Sequence, residues 1–308
     1  PAWDNSLFED NAEFGYGMLL AQNAIRDGLK AKVESVMANE KATDEMKAAC
    51  KEWLDTFGIG ALNGTATDKL VAVLDGVDCD VCRDIVKNKD FLAKKSQWVF
   101  GGDGWAYDIG FGGVDHVLAS GKDINVMVYD TEVYSNTGGQ SSKATPTAAI
   151  AKFAASGKRV KKKDLGMIAA TYGYVYVAQI SLGANMNQAI KAIKEAEAYH
   201  GPSLIIAYAP CINHGIKTGM ATTIAEEKKA VETGYWHLWR FNPELKEEGK
   251  NPFTLDSKEP TGEVKDFMKG ENRYLVLQKT HPEVAEELFA KAERDLLERY
   301  ESYKRMAD

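Results

Sequence analysis

Apolar residues recur at steps of three and four through the first part of the chain: Met18, Ala21, Ile25, Leu29, Val33 and Val36. This spacing is typical of a long helix that buries one face. Shorter patterns of the same kind follow within residues 46–54 and 67–94. We therefore predict that residues 1–95 are a helical N-terminal part that precedes a sheet.

The middle of the chain alternates between apolar runs of strand length and segments of helical pattern. The runs are residues 98–100, 124–129, 174–180 and 204–209. Helices are predicted within residues 106–121, 148–153 and 187–198. Pro146 is available as the first residue of the second of these helices, a position that suits proline. Such alternation predicts an α/β core over residues 96–220, with a parallel sheet and helices on both faces.

The last part of the chain, residues 221–308, is more polar. Its pattern predicts a helix over 226–233, an aromatic extended segment over 235–241 and a long helix from Pro282. It adds no clear catalytic motif. We expect this C-terminal segment to pack on the α/β core.

The composition is ordinary for a globular protein, with 44% hydrophobic and 27% charged residues among 308. A net charge of -7 argues against general nucleic-acid binding. No apolar run approaches the ~20 residues of a membrane span, so no membrane contact is expected. The one basic cluster, residues 158–163, is expected to be a solvated loop. Pro1 stands where Met would begin a complete chain, which suggests a fragment or a processed product.

The cysteines are Cys50, Cys79, Cys82 and Cys211. They are too few for a disulfide framework in a chain of this length, so a reducing compartment, the cytoplasm, is predicted. The Cys79–Cys82 pair is flanked by aspartates that should raise the thiol pKa values and oppose a thiolate. We expect two thiols on a helical surface there. The triplet Asn63-Gly64-Thr65 is expected to form an Asn-Gly turn.

Two polar segments follow the first two predicted strands. Gly101-Gly102-Asp103-Gly104-Trp105 comes after the first, and residues 130–136 come after the second. The carboxyl ends of adjacent parallel strands meet at one edge of a sheet, which is where ligands bind in such folds. Asp103 with Thr131 and Asn136 would supply oxygen ligands for a hard cation, and backbone N–H groups could bind phosphates.

Other nucleotide motifs are absent from the sequence. The dinucleotide pattern G-x-G-x-x-G fails because Tyr107 stands at its third glycine position, and no P-loop pattern occurs. A bare Gly-Asp-Gly is a common turn. When Asn136 follows after a second strand, the combination resembles the thiamine diphosphate motif. Three segments further resemble the sequence of the cofactor domain of the long, single-chain pyruvate:ferredoxin oxidoreductases. They are Gly101–Gly110, Tyr134–Gln140 and Asn5–Gly15.

This resemblance runs from the first residue to at least Gly219, and it implies the diphosphate-binding half of a thiamine diphosphate fold. It also implies a set of cofactor-binding residues: Gly102, Asp103, Gly104, Trp105, Thr131, Glu132, Val133, Tyr134, Ser135 and Asn136. Asp103, Thr131 and the carbonyl of Val133 would bind Mg²⁺. Asn136 would donate a hydrogen bond near the reacting end of the cofactor.

Cys211 follows the fourth predicted strand. A Cys at a strand tip is most often a small buried hydrophobe. In the family that the chain resembles, a Cys at this place, here beside Asn213 and His214, is an isolated ligand of a [4Fe-4S] cluster. The other ligands belong to a segment upstream of the region that this chain matches.

The activity that the resemblance implies is oxidative decarboxylation of pyruvate to acetyl-coenzyme A and CO₂. Electrons would pass through iron–sulfur clusters to ferredoxin or flavodoxin. A separate pyrimidine-binding domain would supply the activating glutamate, and the full enzyme would be a homodimer. Three alternatives remain: a non-redox thiamine decarboxylase, a non-catalytic cofactor-carrying module and a plain nucleotide-binding domain. The residues leave open which 2-oxoacid is used, and they do not fix the redox partner or the oligomeric state.

Overall fold

A computed structural model describes residues 9–308, so the first four residues of the opening motif, 5–8, lie outside the described part. The described chain divides into two compact units. One is Phe14–Gln97, and the other combines residues 9–13 with Trp98–Asp308. The three-part domain division given above stays a prediction.

The first unit is helical, as predicted. Its helices are α1 (Asn11–Met37, which begins in the other unit), α2 (Asp44–Asp55), α3 (Gly60–Leu74) and α4 (Asp80–Lys87). Leu29, Val33 and Val36 of the predicted stripe are buried against a core that includes Trp53. The early part of the stripe differs, because Ala21 and Ile25 are exposed.

Asn63-Gly64-Thr65 lies inside α3, so the predicted Asn-Gly turn is wrong. The reason is tertiary, since the Asn63 side chain is fully buried and its amide oxygen accepts two hydrogen bonds. The donors are Arg26 Nη2 at 3.1 Å and the Lys94 backbone N–H at 2.7 Å. These contacts stabilise the helix at a dipeptide that favours turns in isolation.

The second unit is built on a six-stranded sheet. Its strands are β1 (Trp98–Gly102), β2 (Ile124–Asp130), β3 (Tyr176–Ile180), β4 (Pro202–Tyr208), β5 (Trp239–Phe241) and β6 (Phe253–Leu255). The strand order is β1-β2-β4-β3-β5-β6. The first four strands are parallel, as predicted, whereas β5 pairs antiparallel with both β3 and the edge strand β6. The sheet is therefore mixed rather than wholly parallel.

Helices connect and cover these strands: α5 (Phe111–Ala119), α6 (Leu165–Ala170), α7 (Met186–Ala198), α8 (Thr223–Glu232), α9 (Glu244–Glu247), α10 (Val264–Met268), α11 (Asn272–Thr280) and α12 (Pro282–Ala307). Ile205 of β4 packs in the cluster that includes α7, and the adjacent Ile206 approaches Gly166 of α6. Successive strand residues point to opposite faces, so helices cover both faces of the sheet, as predicted. No helix within residues 9–308 is long and apolar enough to span a membrane.

Two predictions about the connection between β2 and β3 are wrong. Residues 148–153 do not form a helix, because the chain doubles back there. The Ala148 N–H donates to the Lys158 carbonyl oxygen at 2.9 Å, and the Lys158 N–H donates to the Ala149 carbonyl oxygen at 3.0 Å. Ala148 and Phe153 both have positive φ, 74° and 66°. The basic cluster is not wholly solvated either, since the Lys162 side chain is only 8% exposed. Lys162 is kept buried by ion pairs with Asp130 and Glu132, which lie far from it in the sequence.

Candidate cofactor site

The site lies where β1 and β2 end. Gly102 pairs with Tyr129, and Asp130 pairs with Tyr208 of β4, so the three strand tips lie side by side. The segments that follow β1 and β2 enclose a cavity of about 440 Å³. Its lining includes Gly102, Asp103, Gly104, Trp105, Thr131, Val133, Tyr134, Ser135 and Asn136. Every residue of the predicted cofactor set except Glu132 therefore lines one cavity.

The oxygens predicted to bind a cation gather at the base of this cavity. Thr131 Oγ1 lies 2.8 Å from Asp103 Oδ1 and 3.0 Å from the carbonyl oxygen of Val133. Oxygens bound to Mg²⁺ at ~2.1 Å in an octahedron are ~3 Å from their neighbours. The spacing and the hard oxygen character of these ligands fit Mg²⁺, although their role as ligands stays a prediction.

Asp103 is held rigidly. Its Oδ1 also accepts a hydrogen bond from the Thr131 backbone N–H at 3.1 Å, and its Oδ2 accepts one from the Ser142 hydroxyl at 2.6 Å. Burial, together with the nearby Asp130 carboxylate, raises the pKa of Asp103 to about 7. A cation at these oxygens would favour the ionised carboxylate, so the electrostatics of the site match cation binding.

The glycines of the first segment have different structural reasons. A Cβ on Gly102 would meet no atom within 4 Å, so this residue leaves its backbone open to the cavity. A Cβ on Gly104 would lie 2.5 Å from the Tyr134 ring, and one on Gly101 would lie 2.3 Å from the Trp105 ring. Gly102 thus suits close approach of a diphosphate, whereas Gly104 is required by the packing of Tyr134.

Cys211 contacts Ser135 of the cavity lining, and it also packs in a small apolar cluster with Val133 and Ala151. Its Sγ lies 3.0 Å from the Ser135 hydroxyl, and the Asn213 backbone and side-chain N–H groups both donate to it at 3.4 Å. The thiol is only 5% exposed. Hydrogen-bond donors around a sulfur are the surroundings that stabilise a cluster-ligating thiolate.

Asn136 is exposed at the cavity mouth, as a residue that contacts a substrate would be.

Glu132 was expected to contact the cofactor directly, but its side chain does not line the cavity. Its side chain is 1% exposed and points into the protein, where it accepts hydrogen bonds from Arg273 at 2.7 Å and Tyr235 at 2.6 Å. Lys162 lies 3.1 Å from its other oxygen. Its φ of 59° lies in the left-handed region, which turns this side chain away from its neighbours. The carboxylate is therefore not placed to touch a ligand in the cavity.

Lys162 joins Glu132 to the end of β2. Its Nζ lies 2.7 Å from Asp130 Oδ2, and the Tyr107 hydroxyl donates to the same carboxylate at 2.7 Å. Asp130 is fully buried directly behind the Asp103–Thr131 contact. In the sequence, the one indication was Asp130 itself, because a carboxylate at the end of an apolar strand requires a buried counter-charge. Nothing in the local pattern identified Lys162 as that partner.

His214 holds the opposite side of the same segment. Its Nε2 lies 2.8 Å from the Thr131 carbonyl oxygen, and a carbonyl only accepts, so Nε2 carries a proton. Its Nδ1 lies 3.4 Å from Glu271 Oε1, and neither atom has another partner among the described residues. Arg273 donates to Glu271 at 2.6 Å and closes the network back to Glu132.

Comparison with known proteins agrees with this geometry. The family described as "Thiamine pyrophosphate enzyme, C-terminal TPP binding domain" matches residues 86–207, which contain β1, β2 and the cavity segments. Over the whole chain, the sequence is 54% identical to a pyruvate-flavodoxin oxidoreductase of Klebsiella pneumoniae. It is 56% identical to a pyruvate:ferredoxin oxidoreductase of Moorella thermoacetica. The chain is related to the pyruvate:ferredoxin oxidoreductases. The resemblance predicted from the sequence is confirmed.

The match concerns one region of much longer proteins. The chain is covered completely, yet it spans only 26% and 27% of the length of these relatives. A mitochondrial pyruvate dehydrogenase [NADP(+)] of Euglena gracilis is 48% identical over the whole chain, which spans 17% of that protein. A solved 2-oxoglutarate:ferredoxin oxidoreductase from Magnetococcus marinus matches 61% of this chain and 62% of its own chain. The two chains are 22% identical, and the TM-score is 0.35.

Proposed function

We propose that this chain is the thiamine diphosphate- and Mg²⁺-binding part of a pyruvate:ferredoxin oxidoreductase. The observation that carries the proposal is the convergence of Asp103, Thr131 and Val133 oxygens beneath a cavity of about 440 Å³ in a thiamine-enzyme domain. The names of the long relatives support pyruvate as the 2-oxoacid. The complete enzyme would form acetyl-coenzyme A and CO₂.

Different residues of the cavity would bind the metal ion, the diphosphate and the substrate. Asp103, Thr131 and the Val133 carbonyl would hold Mg²⁺ against the diphosphate, and Gly102 would let the phosphates approach the backbone. Thiamine diphosphate, when bound, supplies the electron sink for decarboxylation. Asn136 at the cavity mouth would orient the substrate by hydrogen bonding. Glu132, Lys162 and His214 would hold the 130–133 segment in place from behind.

Cys211 favours the redox enzyme over a thiamine decarboxylase. Such a decarboxylase has no use for a thiol held by Ser135 and by two Asn213 N–H donors beside the cofactor cavity. We propose that this thiol is one ligand of a [4Fe-4S] cluster whose other ligands come from elsewhere in the enzyme. Within residues 9–308, no group of three or more His, Cys, Asp or Glu side chains could hold a metal by itself.

The partners follow from the same proposal. Coenzyme A would accept the acetyl group, and ferredoxin or flavodoxin would receive the electrons. A pyrimidine-binding domain and a cluster domain of the same enzyme would complete the site, since the relatives are about four times as long as this chain. We propose a homodimer of the complete enzyme in the cytoplasm.

The test is titration calorimetry of thiamine diphosphate into the protein with and without Mg²⁺. Asp103→Ala should weaken Mg²⁺-dependent binding at least ~100-fold, because removal of a charged partner costs ~3 kcal/mol or more. Asp115→Ala is the matched control, since this α5 carboxylate contacts the Tyr172 hydroxyl and does not line the cavity. Unchanged affinity for Asp103→Ala in Mg²⁺ would show that the site is assigned wrongly.

A further inference from the structure

A second chemical feature lies in the helical unit, at the start of α4. Cys79 is the N-cap residue of this helix, with φ -150° and ψ 125°, and its Sγ accepts a hydrogen bond from the Cys82 backbone N–H at 3.4 Å. Cys79 is partly exposed, whereas Cys82 is 0% exposed and belongs to the core of the unit. The prediction of two thiols on a helical surface is therefore wrong for Cys82, which is buried in the core of the unit.

We propose that Cys79 and Cys82 form an oxidisable dithiol that closes to an intramolecular disulfide when a hydroperoxide reaches it. An N-cap side chain folds over the third residue of its helix. Cys79 Sγ therefore lies against Cys82, which carries the second sulfur. A disulfide needs Cβ atoms only ~4 Å apart, and adjoining side chains at one helix end can reach that separation.

The charges around Cys79 favour its thiolate, contrary to the expectation from the sequence. Asp78 and Asp80 do not act on the sulfur as free carboxylates, because Arg83 binds both of them. Arg83 itself contributes a favourable positive charge. The hydrogen bond to Cys82, followed by the backbone N–H, lowers the pKa of Cys79. The dipole of α4 acts in the same direction.

The two thiols would have different roles. Burial raises the pKa of Cys82 to about 12, so this thiol stays protonated until a partner is presented to it. Cys79 is partly exposed and therefore meets the oxidant first. This arrangement of an accessible attacking sulfur and an interior resolving sulfur is typical of redox-active Cys-x-x-Cys pairs at helix N-termini.

The proposed reaction balances with a hydroperoxide as oxidant. The Cys79 thiolate attacks the peroxide oxygen, the O–O bond breaks, and a sulfenic acid forms as hydroxide leaves. The Cys82 sulfur then attacks the Cys79 sulfur. The S–S bond forms as the S–O bond of the sulfenic acid breaks, and the oxygen leaves as water after taking up the Cys82 proton. Two thiols lose two electrons in total, and hydrogen peroxide is reduced to two waters.

A metal at this pair finds no support in the structure. Among residues 9–308, no group of three or more His, Cys, Asp and Glu side chains could hold an ion. Cys50 packs in the same core and is also fully buried. Burial raises the pKa of Cys50 to about 11, which makes it a poor competitor for the oxidant.

The experiment uses the full chain, reduced and then treated with one equivalent of hydrogen peroxide under native conditions. Free thiols are blocked and the protein is mapped by peptide mass spectrometry. We expect a Cys79–Cys82 disulfide, with Cys50 and Cys211 blocked as free thiols. Before oxidation, Cys79 should be alkylated at neutral pH ~10-fold or more faster than Cys50, in line with its lower pKa.

Two variants separate the roles of the sulfurs. Cys82→Ser should leave a sulfenic acid on Cys79 that a dimedone probe captures, and Cys50→Ser should still form the disulfide. Alkylation of Cys79 no faster than Cys50 would overturn the proposal, as would a wild-type peptide map without the Cys79–Cys82 crosslink. A Cys50–Cys82 crosslink would overturn it as well. The wild-type map decides even if a variant fails to fold.

Discussion

Replacement of Glu132 by Gln tests whether a buried ion network holds the cofactor segment. The side chain keeps its size but loses the charge that faces Lys162 at 3.1 Å and Arg273 at 2.7 Å. Arg273 would keep Glu271, and Lys162 would keep Asp130. The change therefore isolates the contribution of one ionised carboxylate.

The magnitude follows from the environment of Glu132. Burial alone would raise the pKa of this carboxyl, but Lys162, Arg273 and His214 overcome it and lower the pKa from 4.5 to about 2. A tenfold change in an ionisation constant corresponds to about 1.4 kcal/mol, so ionised Glu132 should stabilise the fold by ~3 kcal/mol. The side chain is fully buried, so solvent does not screen this contribution. We expect Glu132→Gln to lose ~3 kcal/mol at neutral pH.

The pH dependence gives a sharper test because its sign is fixed. The pKa of Glu132 is lower in the folded than in the unfolded chain. Its stabilisation is therefore complete above pH 4.5 and is lost as the pH falls towards about 2. The difference between wild type and Glu132→Gln should shrink over this range.

The chain has two compact units that need not unfold together, so the readout must be local. Amide hydrogen exchange in peptides from β2 and β4, measured by mass spectrometry, reports the free energy of opening of the sheet unit. Glu259→Gln is the control, because Glu259 is an exposed partner of Lys304 and should matter little. A Glu132→Gln protein with wild-type protection at neutral pH would refute the reasoning.

Three further predictions concern the site. In the complete enzyme, Cys211→Ser should lower iron content and slow electron transfer while thiamine binding stays near wild type, because a hard oxygen replaces a soft sulfur; wild-type iron content and rate together would contradict the ligand role. Gly104→Ala should lower stability by ~1–3 kcal/mol through the 2.5 Å clash with Tyr134, whereas Gly102→Ala should not, and equal thermal midpoints would disprove this difference. The 308-residue chain incubated anaerobically with pyruvate, thiamine diphosphate, Mg²⁺, coenzyme A and a viologen dye should show no sustained dye reduction, since the related enzymes are about four times as long.

The sequence predicted the parallel part of the sheet and the cavity segments because their signals are local. Apolar runs of strand length mark β1 to β4, and parallel strands bring Asp103 and Thr131 to one edge whatever the rest of the chain does. The same holds for the long helix α12, whose apolar spacing and first-turn Pro282 are both in the local pattern.

Local patterns misled where long-range contacts decided the conformation. Asn63 is helical because Arg26 and Lys94 bind its amide, and residues 148–153 turn back because they pair with the chain near Lys158. The aspartates around Cys79 suggested an inert thiol until Arg83 was found to bind two of them. In each case the partner lies outside the window that a pattern reads.

The sequence by itself determined which segments line the cavity, because strand ends are visible in adjacent positions, but it did not determine the direction of every side chain in them. Only the tertiary structure decided what holds those residues in place. Glu132 stands between two cavity residues, yet its positive φ sends the carboxylate inward to Lys162 and Arg273. These partners lie 30 and 141 positions away along the chain. A buried charge demands a counter-charge, but which residue supplies it depends on the folding of distant segments together.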